Sequence, residues 1–282
     1  MNLGELTAAD IRKMNYNELI SVVRETNRPP GGVQSVSQLA TRAHLGPNSR
    51  VLEIGTSTGI TAIELARLVG CHITAVDINE RSIEEARRRA ENLGVGHLID
   101  FQVADATATG YPDNGYDLVF CGNVTSLIPD RDRALSEYTR LVRPGGFIAA
   151  IPMYYVKPPS EKLLGDVTEA IQVPVKPLEE RYWLDFFLGE GRILFHGQRY
   201  TFDWISDEVV DGFVRDILAR PHLAELTEDA RVALVEQYSV FMRLFRDNLS
   251  HMGFTELLVR CESDELAEPE LFTASPAAPD LN

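Results

Sequence analysis

What this chain of 282 residues has little of narrows its chemistry first. It holds three cysteines, Cys71, Cys121 and Cys261, far apart and in no CxxC or Cys/His spacing. That excludes a disulfide framework and a thiolate zinc site, and a reducing, cytoplasmic setting is expected. Positive charge is also scarce: 27 Lys and Arg stand against 42 Asp and Glu, for a net −15. Such a surface repels polyphosphate, so neither nucleic acid nor an anionic membrane is an expected partner. The one basic cluster, Arg87, Arg88 and Arg89, is interleaved with Glu84, Glu85 and Glu91 at helical spacing and reads as a solvated helix face. The longest apolar stretch, around 147–156, falls far short of the roughly 20 residues that span a bilayer. The N-terminus MNLGELTAADIRKMN carries acidic residues and no apolar core of a secretory signal. With no His/Cys cluster and no carboxylate-rich loop, no metal is expected.

What is present is a soluble-protein composition, 44% hydrophobic, sufficient for a core without covalent staples. From 50 to 151 short β-rich runs alternate with amphipathic helical patterns, the signature of parallel strands joined by helical crossovers. Runs at 51–54, 72–77, 99–103, 116–121 and 147–151 read as strands one to five. Helices are expected at about 59–68, from Asn79 to Gly94 and at 130–142, where Gly70, Asn79 and the turn Arg143-Pro144-Gly145-Gly146 supply stops and caps. The expected fold is α/β, a doubly wound and mostly parallel sheet.

Four segments are expected around it. Residues 1–46 form an N-terminal helical cap, with helices at 15–26 and 36–43 around the loop Asn27-Arg28-Pro29-Pro30-Gly31-Gly32, whose prolines forbid a continuous helix. Residues 47–152 are the core. Residues 153–234 read as an α+β lid inserted after strand five, with a hairpin near 193–202. Residues 235–282 return to the core through a helix, then strands at 255–261 and 270–273, and end in a frayed tail.

The chemistry concentrates where strand one ends. Val51-Leu52-Glu53-Ile54-Gly55-Thr56-Ser57-Thr58-Gly59-Ile60 is a strand followed by a small-residue loop that opens a helix; Gly55 and Gly59 let a ligand approach the backbone, and the helix start presents free N–H groups. The glycines are not spaced as GxGxxG, which argues against a dinucleotide. Asp77 ends strand two, where a carboxylate can accept both hydroxyls of a ribose; the rival role is to cap the next helix.

Taken together, EIGTSTG at strand one, VDIN at strand two, the ADA of Ala104-Asp105-Ala106, YDLVFCGN at strand four and RPGG before strand five resemble the class I S-adenosylmethionine-dependent methyltransferases, over somewhat more than a third of the chain. The resemblance implies a Rossmann-like fold and S-adenosylmethionine as co-substrate. It implies that Gly55, Gly59 and Thr56 line the methionine moiety, with Glu53 ordering the loop beneath. Asp77 would hold the ribose, Ile78 the adenine face and Asp105 the adenine amine. Ala106 would lie beside the ring and Asn123 near the transferring group. The pattern departs at Ser57, where the family commonly has a third glycine. Strand four continues Gly122-Asn123-Val124-Thr125 in place of the Asn/Asp-Pro-Pro-aromatic motif of nucleic-acid amino methylases, which favours a small-molecule acceptor.

Methyl transfer needs positioning more than acid–base chemistry, so the acceptor side is less specified. Tyr154 and Tyr155 follow strand five and are expected either to face the sulfonium and bind acceptor, or to pack in the core. Tyr16 and Arg28 flank the cap and are expected over the methionine carboxylate, with a surface ion pair as the equal alternative for Arg28. His196 stands alone on a strand and is not expected to act as a base. The aromatic run around Trp183 and Phe186 reads mainly as core or as a homodimer contact. The expected function is methylation of a small molecule with release of S-adenosylhomocysteine. Two alternatives stand beside it. One is transfer of the aminocarboxypropyl arm, or its closure to azetidine-2-carboxylate inside a tyrosine-rich pocket, with release of methylthioadenosine. The other is a non-catalytic S-adenosylmethionine-binding protein.

Overall fold

The computed structural model of the chain describes residues 3–262. Eight strands form one sheet: β1 (Arg50–Ile54), β2 (His72–Asp77), β3 (Ile99–Val103), β4 (Tyr116–Gly122), β5 (Val142–Ala150), β6 (Met153–Tyr155), β7 (Arg192–Thr201) and β8 (Met252–Cys261). The order β3-β2-β1-β4-β5 is parallel throughout. β8 then adds antiparallel. One of its edges is shared in tandem by β5 and β6, and the other is covered by β7 along nearly its whole length. This is the doubly wound α/β architecture that the repeating βα pattern requires.

Helices α1 (Ala8–Lys13), α2 (Tyr16–Val23) and α3 (Gly32–Arg42) precede the sheet. The crossovers are α4 (Ile60–Val69), α5 (Glu80–Asn92) and α6 (Arg131–Leu141), and α7 (Glu161–Ile171), α8 (Glu180–Phe187), α9 (Asp207–Leu218) and α10 (Glu228–Leu249) complete the set. Their ends follow local chemistry. Thr7 and Asn15 each close a capping box, Asn79 Oδ1 accepts from the N–H groups of Arg81 and Ser82 at 3.0 and 3.3 Å, and α4 stops at Gly70 in the left-handed region.

The sheet buries both faces. Val36, Leu39, Ile63, Ile83 and Phe101 fill the layer under α3, α4 and α5; Leu52, Val119, Tyr138, Trp183 and Leu257 fill the layer under α6 and α8. A third core lies away from the sheet, where Ile11, Leu19, Val22 and Val23 of the cap meet Leu234, Tyr238 and Phe241 of α10. The cap is therefore anchored by the long helix near the chain's other end.

Residues 153–234 are not an insertion set apart from the sheet: β6 and β7 belong to it. The expected hairpin near 193–202 is a single strand, in which Gly197 makes no turn and a bulge falls between Leu194 and His196. β7 serves as the antiparallel partner of β8. The expected strand at 270–273 lies outside the described residues. No helix among the described residues is long and apolar enough to cross a membrane.

Candidate functional site

The carboxyl ends of β1 and β2 are tied together by backbone. Gly55 and Thr56 both donate to the Val76 carbonyl, at 2.8 and 2.9 Å, and the Ser57 N–H donates to Asp77 Oδ2 at 2.8 Å. Gly55 sits at φ +72°, and a Cβ there would collide with the Val124 side chain, so the turn tolerates no side chain. Ser57 is itself left-handed at φ +49°. The position where the sequence departs from the glycine pattern is thus the one where glycine would relieve strain.

Asp77 uses one oxygen on Ser57 and the other on the Asn79 N–H at 2.9 Å. Since the Asn79 side chain caps α5, Asp77 is left as a loop organiser at the cavity edge. Glu53 lies below, 3% exposed, and accepts from the Thr56 hydroxyl at 2.6 Å. Burial pushes its pKa up to about 7, against the hydrogen bonds from Thr56, Thr61 and the Ala62 backbone that favour its charge. After β3, Asp105 Oδ1 accepts from both the backbone N–H and hydroxyl of Thr107 at 2.8 Å; these bonds hold its pKa below the ordinary carboxylate value. After β4, Asn123 Oδ1 accepts from the Met153 N–H at 3.2 Å.

These residues surround one cavity of about 1180 Å³ outside the carboxyl ends of the strands, where open α/β sheets bind ligands. Glu53, Gly55, Thr56, Asp77, Ile78, Asp105, Ala106 and Asn123 all lie on its wall, and Arg28 faces them from the cap loop. Ile78 is 75% exposed, an apolar side chain presented to the opening. A smaller cleft of about 410 Å³ at the opposite ends of the strands contains none of the expected site residues.

Gly59 is the exception among the expected ligand-side residues. A Cβ there would come within 2.7 Å of Ala86 and 3.1 Å of Phe101, so this glycine lets α4 start close against α5 and β3 and is absent from the cavity wall.

The expected tyrosines are also elsewhere. The Tyr154 hydroxyl lies 3.1 Å from Thr255 Oγ1, and Tyr155 donates to Asn248 Oδ1 at 2.8 Å, both buried. Tyr16 packs edge-on against Phe241 and Phe245 and points its hydroxyl at Glu25, 3.5 Å away; burial first, and then that carboxylate, raise its pKa. Tyr154 and Tyr155 are buried, Tyr16 is half-buried against the core of α10, and none of the three is on the cavity wall, so the tyrosine-rich enclosure of the sulfonium does not form. Trp183 donates its indole N–H to the Met153 carbonyl at 3.0 Å and supports the floor from behind. His196 lies on β7 with its pKa lowered by burial and by Arg42, away from the cavity.

The far end of the cavity was not foreseen. It is made by Asn17 and Asn27 with the cap prolines Pro29 and Pro30, by Met153, by Phe202 just after β7, and by Leu249 at the end of α10. The strand-end rule points to the residues after β5, and strand parity decides among them: Met153 turns to the cavity while Tyr154 turns to the opposite layer. Among the described residues no group of three or more His, Cys, Asp or Glu side chains could hold a metal.

The methyltransferase domain family matches residues 51–146, the stretch that carries β1 to the turn inside β5. A sarcosine/dimethylglycine N-methyltransferase of Halorhodospira halochloris is 35% identical over 145 residues, 51% of this chain and 50% of that protein. The chain thus spans about half the length of that relative. Among solved structures, that of MccD protein superposes with a TM-score of 0.72 at 24% identity, covering 84% of this chain and 100% of that one. A methyltransferase from Geobacter sulfurreducens in complex with S-adenosyl-L-homocysteine has a TM-score of 0.65 at 19% identity, over 87% of this chain and 98% of that one.

Proposed function

We propose that the chain is an S-adenosylmethionine-dependent methyltransferase acting on a small molecule and releasing S-adenosylhomocysteine, a reading supported by the match of residues 51–146 to the methyltransferase domain family and by the doubly wound sheet around them. The observation that carries the reading is the convergence, on one cavity wall, of the β1 loop, Asp77, Asp105 and Asn123 from four different strand ends.

Each group suits one part of the co-substrate. A carboxylate has room for about four hydrogen bonds. Asp77, holding one N–H on each oxygen, keeps capacity for both ribose hydroxyls. Ile78 supplies an apolar face to the adenine and Asp105 Oδ2 an acceptor for its amine. Arg28, which has no hydrogen-bond or ion-pair partner among the described residues, is placed to hold the methionine carboxylate. Glu53 and Thr56 fix the loop against which the methionine arm lies. The protein's part in the reaction is to hold the methyl carbon in line with the acceptor atom and to keep water out.

The acidic surface and three buried free thiols support a cytoplasmic enzyme with a small-molecule acceptor in preference to a nucleic acid. Calorimetric titration with S-adenosylhomocysteine tests the reading: saturable one-to-one binding is expected, and its absence refutes the assignment. Incubation with S-adenosylmethionine alone separates the arm-transfer alternative. Methylthioadenosine accumulating above the spontaneous background would overturn methyl transfer.

A further inference from the structure

We infer that the acceptor is a carboxylic acid on a small, largely apolar skeleton, methylated as its carboxylate to a methyl ester. The inference rests on the methyltransferase reading above and concerns the other half of the same cavity.

The order of the sheet divides the cavity. Asp105 follows β3, Asp77 ends β2, the glycine loop follows β1, Asn123 follows β4 and Met153 follows β5. A nucleoside held by Asp105 and Asp77 therefore directs its reactive end toward Asn123 and Met153. The space beyond is walled mostly by Pro29, Pro30, Met153, Phe202 and Leu249, with the amides of Asn17 and Asn27 as its two neutral polar side chains. That surface suits hydrocarbon. It also sets aside sugars and polyphosphates, which need many convergent polar groups.

The wall carries no residue suited to take a proton from a hydroxyl. Among the described residues that line the cavity there is no histidine, lysine or tyrosine. Residues 1–2 and 263–282 contain none either, and no cysteine. Cys121 lies on the wall, but its buried thiol is pushed up to about 12. Each carboxylate on the wall already accepts a hydrogen bond within the loops after β1 to β4: Glu53 from Thr56, Asp77 from Ser57 and Asn79, Asp105 from Thr107, and Asp130 from the Arg133 N–H at the start of α6. Against a phenol of pKa about 10, a carboxylate in the ordinary range near 4 is a poor base, and Glu53, raised to about 7, is buried beneath the loop with its carboxylate on the Thr56 hydroxyl. An alcohol or phenol acceptor would lack the group it needs.

Charge decides between the nucleophiles that need no base. The sulfonium places a positive charge at the acceptor end, while Arg28, on the same part of the wall, is answered by the methionine carboxylate. An amine would arrive as an ammonium, meet the sulfonium with no counter-carboxylate from that part of the wall, and have to shed a proton before attacking. A carboxylate arrives charged as required. One of its oxygens forms a bond to the methyl carbon while the carbon–sulfur pair withdraws onto sulfur, giving a neutral ester and the thioether S-adenosylhomocysteine. No proton moves, and two opposite charges disappear, a change that apolar surroundings favour.

The test uses the full chain, S-adenosylmethionine and matched acceptors on two skeletons: octanoate, octylamine, octanol and octanethiol, and phenylacetate with its amine and alcohol counterparts. S-adenosylhomocysteine is quantified beside the methylated product by mass spectrometry. Ester formation from the acids is expected, at least about tenfold faster than any amine or alcohol product, with a kcat at saturating co-substrate that shows no alkaline rise between about pH 6 and 8. Turnover confined to amine, thiol or alcohol overturns the inference, as does a kcat that climbs with pH. No ester from either acid, with S-adenosylhomocysteine still binding, also overturns it and leaves the methyltransferase reading standing. Failure of S-adenosylhomocysteine to bind refutes the methyltransferase reading itself.

Discussion

The two ends of the cavity are built by opposite strategies. The end proposed for the nucleoside is made of tight loops directly after β1, β2, β3 and β4, held by backbone hydrogen bonds such as those from Gly55 and Thr56 to Val76. The end proposed for the acceptor is assembled from side chains scattered over the chain, at 17–31, 153, 202 and 249, and carried by the cap, the strand ends and α10. One end is rigid because its geometry is local. The other is open to change, since each residue there packs as an individual side chain. The contrast explains how one fold can keep a co-substrate while its acceptor pocket varies.

The comparison is broken most severely at Gly55. Gly55→Val combines a disfavoured φ with a collision against Val124, and S-adenosylhomocysteine affinity should fall at least about a hundredfold, a loss of about 3 kcal/mol, by calorimetry. Next comes Glu53. Its native pKa of about 7 exceeds the model-compound value of 4.5, so between those pH values the unfolded chain has released a proton that the native state retains. Apo-protein stability should therefore fall as pH rises from 4.5 to 7, by on the order of 3 kcal/mol. Denaturant melts across pH should show Glu53→Gln removing that slope; an unchanged slope would place its cause elsewhere.

Asp77→Ala should weaken S-adenosylhomocysteine binding more than about tenfold, since a charge-assisted pair of contacts is worth about 1.5 to 3 kcal/mol. Unchanged affinity would reject its ribose role. At the acceptor end, Phe202→Ala should raise the acceptor KM by roughly three- to tenfold, in keeping with about 1 kcal/mol of lost apolar contact, and leave co-substrate affinity within about twofold. The smallest effect is expected from Tyr154→Phe: kcat and KM within about twofold, and stability lower by about 1 kcal/mol through the bond to Thr255. A collapse of kcat in that variant would return Tyr154 to the reaction.

The loops after β1 to β4 were legible in the sequence for the same reason that they are rigid. The pattern from β1 to β5 depends on neighbours: Gly70 stops α4, Asn79 caps α5, and Asp77 sits 20 residues from the Ser57 N–H that it accepts. Gly59 shows the limit of that reading, because a positive φ identifies a glycine's conformation and not whether its bare face meets a ligand or a neighbouring helix. The pairing of β7 with β8 joins residues some fifty or more apart in sequence, and no local turn announces it. The docking of α1 and α2 on α10 is more distant still. Tyr154 and Met153 differ by one step of strand parity, which an irregularity such as Pro152 makes hard to count from the sequence alone.

The place of β8 has a consequence for how the molecule is made. It is the last described strand to be synthesised, yet it lies inside the sheet, with β5 and β6 on one edge and β7 on the other. Until residues 252–261 leave the ribosome, β5 presents an unpaired edge, and β7 has no strand partner while its Ile193, Leu194 and Phe195 face solvent. Nascent chains of this protein therefore carry sticky strand edges while the residues between β5 and β8 are synthesised, a period in which holding by a chaperone or slow elongation would govern yield.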